Sequence, residues 1–144
     1  MAYIGDDLET YWKTKSAITS IIGSGRHARI YEDSPKQGAR LPFIVYRCFE
    51  GFSTEGLSQI AGAAQRRVQV DCYGTSAKQA DDLQEAVRLA PTQGHRGNVG
   101  SSFVNGITSP DTARTGTDDP PKGSKKYRHW SSRDYLVAYN EATS

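Results

Sequence analysis

Two neighbouring stretches constrain the fold of this chain more than anything else in it. RRVQVDCYG (Arg66 to Gly74) alternates strictly. Val68, Val70 and Cys72 fall on one side of an extended chain, and Arg67, Gln69, Asp71 and Tyr73 on the other. Period-two alternation marks a strand with one face buried. LPFIVYRCFE (Leu41 to Glu50) is different. Its apolar run, Phe43 to Tyr46, has no polar side, which is the pattern of a central strand covered on both faces. Pro42 suits the entry to a strand, and Gly51 breaks it.

Helical signals flank these strands. Asp6 with Glu9 three residues later resembles a capping box, and Leu8, Tyr11, Trp12, Ile18 and Ile22 recur at helical spacing. Lys15 sits midway along that stripe, where its stem can snorkel, and Gly23 and Gly25 supply the stop. The spacing predicts one helix over about 6–22. Ser76 with Gln79 repeats the capping pattern, and Ala77, Ala80, Leu83 and Val87 form a stripe of mostly small residues ahead of Pro91. That predicts a second helix over about 77–90, able to approach a sheet closely. Arg29 to Tyr31, Val99 to Ile107 and Tyr127 to Tyr139 read as further strands.

Two stretches have no such pattern. Residues 52–64 (FSTEGLSQIAGAA) hold Leu57 and Ile60 as their only large aliphatics, and read as a long connection or a frayed hairpin arm. Residues 108–126 (TSPDTARTGTDDPPKGSKK) contain no large apolar residue beyond their start. Such a run buries too little surface to offset its ordering entropy and is expected to be mobile. The element order predicts an α+β fold: a single two-layer domain over 1–144, with two helices on a largely antiparallel sheet of four to five strands and long mobile loops.

Composition narrows the class. With 36% hydrophobic residues concentrated in a few segments, the core is expected to be modest and the loops large. A net charge of +2 is too small to indicate a nucleic-acid binder by bulk charge. Cys48 and Cys72 both lie in strand-like segments, where a buried thiol is the expected state, and two cysteines make no disulfide framework. The start, MAYIGDDLETYWK, has acids where a secretory signal needs basic and apolar regions, and no stretch approaches the length of a membrane span. A cytoplasmic site of synthesis follows as the expectation.

A search for chemistry yields no active site. His27, His95 and His129 lack metal-ligand spacing, and each stands beside an arginine. Neither cysteine belongs to a zinc-type pair. GSGR (Gly23 to Arg26) follows a helix instead of opening one, the wrong context for a phosphate loop. Asp81, Asp82 and Glu85 read as a solvated helix face. No catalytic, cofactor or metal residues are assigned, and no enzymatic activity is expected. The one charge feature is PPKGSKKYRHWSSR (Pro120 to Arg133), which interleaves Lys122, Lys125, Lys126, Arg128 and Arg133 with Tyr127 and Trp130 and holds no acid. It suits a nucleic-acid backbone, a protein contact anchored by Arg and aromatic residues, or a solvated loop base. Asp111, Asp118 and Asp119 upstream offset its field.

The order of these pieces resembles the tail completion, or tail terminator, proteins of long-tailed bacteriophages and related prophages. The resemblance rests on Arg29-Ile30-Tyr31, on Gln37-Gly38 followed by Leu41 to Tyr46, on Val68 to Tyr73, on the helix from Ser76 to Leu89, and on Arg133 to Val137. It runs from about residue 8 to 139, and its specificity lies in order and spacing. Loop 108–126 departs from it. The resemblance implies a structural virion protein without catalysis. Such a protein forms a ring, usually hexameric, at the head-proximal end of the tail tube. The ring ends tube growth and joins the tail to the head connector, and DNA passes through its channel without specific binding. The expected partners are other copies of the chain, the tail tube protein and a head-completion or connector protein. No cofactor and no membrane are implied, and the expected location is the virion after assembly in the host bacterial cytoplasm. Leu57, Ile60, Asp118, Lys122, Lys125, Lys126, Arg128, Trp130 and Arg133 are the candidate subunit or partner contacts. The alternatives are a head-completion or stopper protein of the neck and, more remotely, a basic nucleic-acid-binding module.

Overall fold

The alternating stretch sits inside a strand that lies between two others. In the computed structural model, which describes residues 4–36, 38–49, 63–90, 97–99, 102–109, 112–119 and 127–140, β3 (Ala63–Gly74) pairs antiparallel with β2 (Phe43–Cys48) on one side and β7 (Arg128–Asn140) on the other. The short β1 (Ile30–Glu32) adds to β2 in parallel. β7 has 13 residues, long enough for two neighbours along its far side. Its first half pairs with β6 (Arg114–Asp118) and its second half with β5 (Ser102–Thr108), which carries β4 (Gly97–Val99) at the edge. All seven strands form one sheet, antiparallel except at β1 and β2.

Three helices lie on one face of this sheet. The predicted helix over 6–22 is two helices, α1 (Ile4–Lys13) and α2 (Ser16–Ile22). The break falls where the apolar stripe is interrupted by Thr14, Lys15 and Ser16. The Thr14 hydroxyl donates to the Tyr11 carbonyl at 2.6 Å, which competes with continuation of the helix. Lys15 is extended as the residue before α2, and its ammonium lies 4.7 Å over the Tyr11 ring. Gly23 ends α2 with φ at 92°, where a side chain is disfavoured. Arg29 completes that end by donating to the Ile21 carbonyl at 3.2 Å and the Pro42 carbonyl at 2.8 Å. The third helix, α3 (Ala77–Leu89), starts as its sequence predicts. Ser76 Oγ accepts from the Gln79 N–H at 3.1 Å, and Gln79 Oε1 reaches back to the Thr75 N–H at 2.8 Å. The reciprocal half of the box is thus made one residue early.

The core is the space between helices and sheet. Leu8, Tyr11, Trp12, Ile18, Ile22, Leu83 and Val87 close over Ile30, Ile44, Tyr46, Val68, Val70, Cys72, Tyr135 and Val137. Each fully buried aliphatic side chain contributes about 1.5–3 kcal/mol relative to exposure. α1 is placed over β2 by an edge-to-face contact of Trp12 with Tyr46, ring centroids 5.6 Å apart, and by the Tyr46 hydroxyl donating to Glu9 at 3.2 Å. α3 is placed over β3 and β7 by Gln84. Its buried amide donates to the Val70 carbonyl at 3.0 Å and the Ser131 carbonyl at 2.8 Å. Its oxygen accepts from the Tyr135 hydroxyl at 2.9 Å. This satisfied polar junction lies beside the predicted stripe of Ala80, Leu83 and Val87, and the stripe gave no sign of it. Tyr11 ties the first helix to the third by donating to the Ala90 carbonyl at 3.0 Å. Cys48 and Cys72 form no disulfide.

The α+β class and the largely antiparallel sheet match the sequence reading; the described residues form three α-helices and seven strands. Two further expectations are corrected. The segment Val99 to Ile107 is a hairpin of β4 and β5. Residues 108–126, expected to be mobile, contain β6, because β7 offers an unpaired backbone edge and Gly116 provides a seat for the Trp130 ring. β2 is buried on both faces, as its apolar run predicts, with helices over one of them. On its other face Phe43 is buried by stacking on Tyr73, centroids 4.8 Å apart, and by the edge of Tyr31 at 6.1 Å. Of loop 52–64, only Ala63 and Ala64, which open β3, lie within the described residues.

Candidate functional site

The face of the sheet turned away from the helices collects the polar half of every alternating strand. The pairing register aligns its side chains in rows across the strands. One row runs Phe43, Tyr73, Trp130, Gly116, and the next runs Tyr31, Val45, Asp71, Ser132, Arg114. A third holds Arg47, Gln69 and Asp134. The result is an aromatic row beside a charged one.

The aromatic row is held by close packing. The indole of Trp130 lies on Gly116, where an added Cβ would overlap the ring, so glycine is the residue that fits there. The indole N–H donates to Asp118 Oδ1 at 3.2 Å. The Arg128 guanidinium stands 5.6 Å over the Tyr73 ring, within cation–π range. In the charged row Asp71 is buried, 7% exposed. Its carboxylate accepts from Gln69 Nε2 at 3.0 and 3.3 Å and faces Arg47 at 3.5 Å. Arg114, largely exposed, reaches the Asp134 carboxylate and the Ser132 hydroxyl, each at 3.5 Å.

Between β3, β6 and β7 the two rows enclose a cavity of about 400 Å³, lined by Gln69, Asp71, Tyr73, Arg114, Asp118, Trp130 and Ser132. Its volume is in the range of ligand clefts, about 300–1,000 Å³. Its lining carries both signs of charge, Asp71 and Asp118 with Arg114. The Tyr73 hydroxyl holds its proton more tightly than an ordinary phenol, first through burial and then through Asp71 and Asp118, against opposing contributions from Arg128 and Arg47. Among the described residues no group of three or more His, Cys, Asp or Glu is placed to hold a metal ion. No helix is long and apolar enough to cross a membrane.

Of the contact residues predicted from sequence, Asp118, Arg128 and Trp130 meet on this face. Arg133 does not. It falls on the helix side of β7, where its guanidinium donates to Ser109 Oγ at 3.2 Å and its charge reaches Glu85 of α3. Leu57, Ile60, Lys122, Lys125 and Lys126 lie outside the described residues. Sequence reasoning missed Asp71, Tyr73, Arg114 and Gly116 as members of the site. The alternation of β3 already placed Asp71 and Tyr73 on one side, but nothing local told which strands would flank them.

Comparison with known proteins follows the same architecture. No curated protein matches the chain. A solved chain in the virion of a native gene transfer agent particle matches with a TM-score of 0.59. It is 11% identical and covers 92% of this chain, which covers 92% of it. At that identity the likeness shows the fold. The family model for tail completion protein gp17 matches residues 8–91, from α1 to just past α3 and more than half of the chain. The chain is a structural tail-completion protein and belongs to the tail completion protein gp17 family.

Proposed function

We propose that this chain forms a homohexameric ring at the head-proximal end of a bacteriophage tail tube. There it ends tube polymerisation, contacts the tube protein on one side and a head-completion or connector protein on the other, and lets genome DNA pass without specific recognition. The observation that carries the reading is the family match over residues 8–91. The fold of the gene transfer agent virion chain agrees with it. The protein acts through shape and contact, without catalysis, and resides in the virion after assembly in the host cytoplasm. The domain is a single unit over 1–144, with the segments 52–64 and 108–126 serving neighbouring subunits. Leu57, Ile60, Asp118, Lys122, Lys125, Lys126, Arg128, Trp130 and Arg133 contribute the contacts. In a closed ring each subunit presents two different surfaces to its neighbours.

Cryo-electron microscopy of assembled virions, with detached tails and filled heads probed separately, tests this. A ring of six copies on the tail tube end is expected. Absence from the particle overturns the reading, and presence only on filled heads replaces it with a head-completion role. The nucleic-acid-binding alternative predicts salt-sensitive binding to generic DNA. The Asp118 carboxylate beside Trp130 and Arg128 argues against it.

A further inference from the structure

Among the described residues the outer sides of β1, β4 and β6 have no neighbouring strand. Such an edge carries a row of backbone donors and acceptors and pairs readily with another strand. Alternation within the sheet fixes which residues these are. The Phe49 N–H donates to the Arg67 carbonyl at 2.9 Å, so odd residues of β3 bond to β2 and even ones to β7. Cys72 faces Ser131, so odd residues of β7 bond to β3 and even ones to β6. Arg114, Gly116 and Asp118 are the partners of those even residues, which leaves Thr115 and Thr117 directing N–H and C=O outward. Both threonines are exposed. At the opposite edge the Ile44 N–H donates to the Arg29 carbonyl and the Asp33 N–H to the Tyr46 carbonyl, each at 2.9 Å. Odd residues there bond to β2, and Ile30 directs its N–H and C=O outward.

These two edges match in level, direction and charge. Ile30 and Thr115 stand on one rung, which runs Ile30, Ile44, Cys72, Ser131, Thr115. β1 and β6 run in opposite directions, so a second copy beside the first continues the sheet as an antiparallel ladder. With Thr115 against Ile30 of the next copy, Arg114 comes beside Glu32 and Asp33. Asp118 and Asp119 then face the exposed turn of Arg26 and His27. β4 does not offer this match. It is carried by β5 on the second half of β7, on rungs that pass through Arg67 to Ala63, whereas β1 lies on the rungs of Val70 to Cys72. We propose that β6 of one copy pairs with β1 of the next, carrying one sheet across the subunit boundary. The contact joins two different edges of the same chain, as a head-to-tail ring requires. Pro110, Pro120 and Pro121 flank β6 and lack an N–H, which confines the ladder to this short stretch. The inference rests on the ring reading above and deepens it by naming the edges that meet.

The test uses the full chain and its assembled tails. Thr115→Pro removes the outward N–H and no bond to β7, so a folded far-ultraviolet spectrum is expected. Incorporation into tails should fall by about tenfold, the scale of a backbone hydrogen bond lost from the contact. Thr115→Ser keeps the N–H and should incorporate normally; a loss shared by both variants places the contact in the side chain and overturns the ladder. A second measurement reads the register. Across the proposed boundary Tyr31 and Arg114 form a non-hydrogen-bonded pair, with Cα atoms about 4.5 Å apart, within disulfide range. Chains carrying both Tyr31→Cys and Arg114→Cys should cross-link on oxidation into a series of oligomers, and neither single variant should. Wild-type incorporation of folded Thr115→Pro, or no cross-link in the double variant, overturns the proposal. So does a cross-link to a different protein, which gives the edge to another partner. If wild-type protein is missing from tails, the tail reading fails. The edge contact is then judged separately, by oxidation of the same double variant in concentrated free solution, where an absent cross-link overturns it.

Discussion

The two faces of the sheet use the same strands for opposite purposes. The helix side places Val68, Val70, Cys72, Ile44, Tyr46 and Tyr135 in a closed apolar layer, where the polar groups at the Gln84 junction are hydrogen-bonded. The other side carries Asp71, Arg47, Asp134 and Arg114 in ion pairs at 3.5 Å, with aromatic rings between them. Period-two geometry forces this division, because neighbouring residues on a strand point to opposite faces. Stability therefore resides mainly on one face, and the other is left to make contacts.

Substitutions graded by face can break that comparison. The largest effect is expected from Val70→Asp, which buries an unpaired carboxylate at a site with 0% exposure. Such a lesion costs more than about 4 kcal/mol and should abolish cooperative melting in circular dichroism. A normally folded variant would mean that the buried face is misassigned. Next comes Gln84→Ala, which removes three buried hydrogen bonds and leaves the Tyr135 hydroxyl without its acceptor. At about 1–3 kcal/mol per unsatisfied buried group, partly relieved by relaxation, a loss of about 3 kcal/mol is expected in urea titration.

Alkaline pH sharpens the comparison further. Burial pushes the pKa of Tyr46, Tyr135 and Cys72 above the ordinary range, so these groups hold their protons more tightly. Their neutral forms are favoured in the folded state, so this stability is fully present below the unfolded-state values and is lost as pH rises past them. The unfolded chain then releases protons that the folded chain retains. Above about pH 10 each tyrosine removes up to about 1.4 kcal/mol per pH unit. Tyr135→Phe should flatten the slope of stability against pH there, and an unchanged slope would show that the ring is wetter than its burial indicates.

The helix-free face is expected to respond more weakly. Gly116→Ala forces the Trp130 indole from its seat, at an overpacking cost of about 1–3 kcal/mol. Shifted tryptophan fluorescence with little loss of helical signal should report it, and an unchanged spectrum would refute the seat. The smallest effect belongs to Lys78→Ala, whose partner Asp82 is also exposed. Removing such a pair costs less than about 0.5 kcal/mol, so a measurable shift in melting temperature would contradict its solvated character.

Much of the fold was legible locally. The alternation of Val68, Val70 and Cys72 named the buried face of β3, and the Ser76 cap placed α3 within a residue. Both signals depend on neighbours in sequence. The division of the first helix at Thr14 and Lys15 was less legible, because its apolar stripe keeps helical phase across the break. The run of Phe43 to Tyr46 suggested cover on both faces, but its second cover comes from Tyr31 and Tyr73, on two other strands. β6 was invisible, since Arg-Thr-Gly-Thr-Asp carries no apolar alternation and is ordered by pairing with β7.

The same reasoning separates what sequence and tertiary structure decide about function. Sequence by itself determined the α+β class, the buried face of the central strand and the resemblance that led to the tail completion family. All of these rest on periodicity, caps and the order of segments, which are properties of the chain read in one dimension. Only the tertiary structure decided that Asp71, Tyr73, Asp118 and Trp130 share one cavity while Arg133 leaves for the helix side. The pair Asp71 and Tyr73 is separated from Asp118 and Trp130 by tens of positions and brought to them by strand register, and a shift of one residue in that register would send each side chain to the other face.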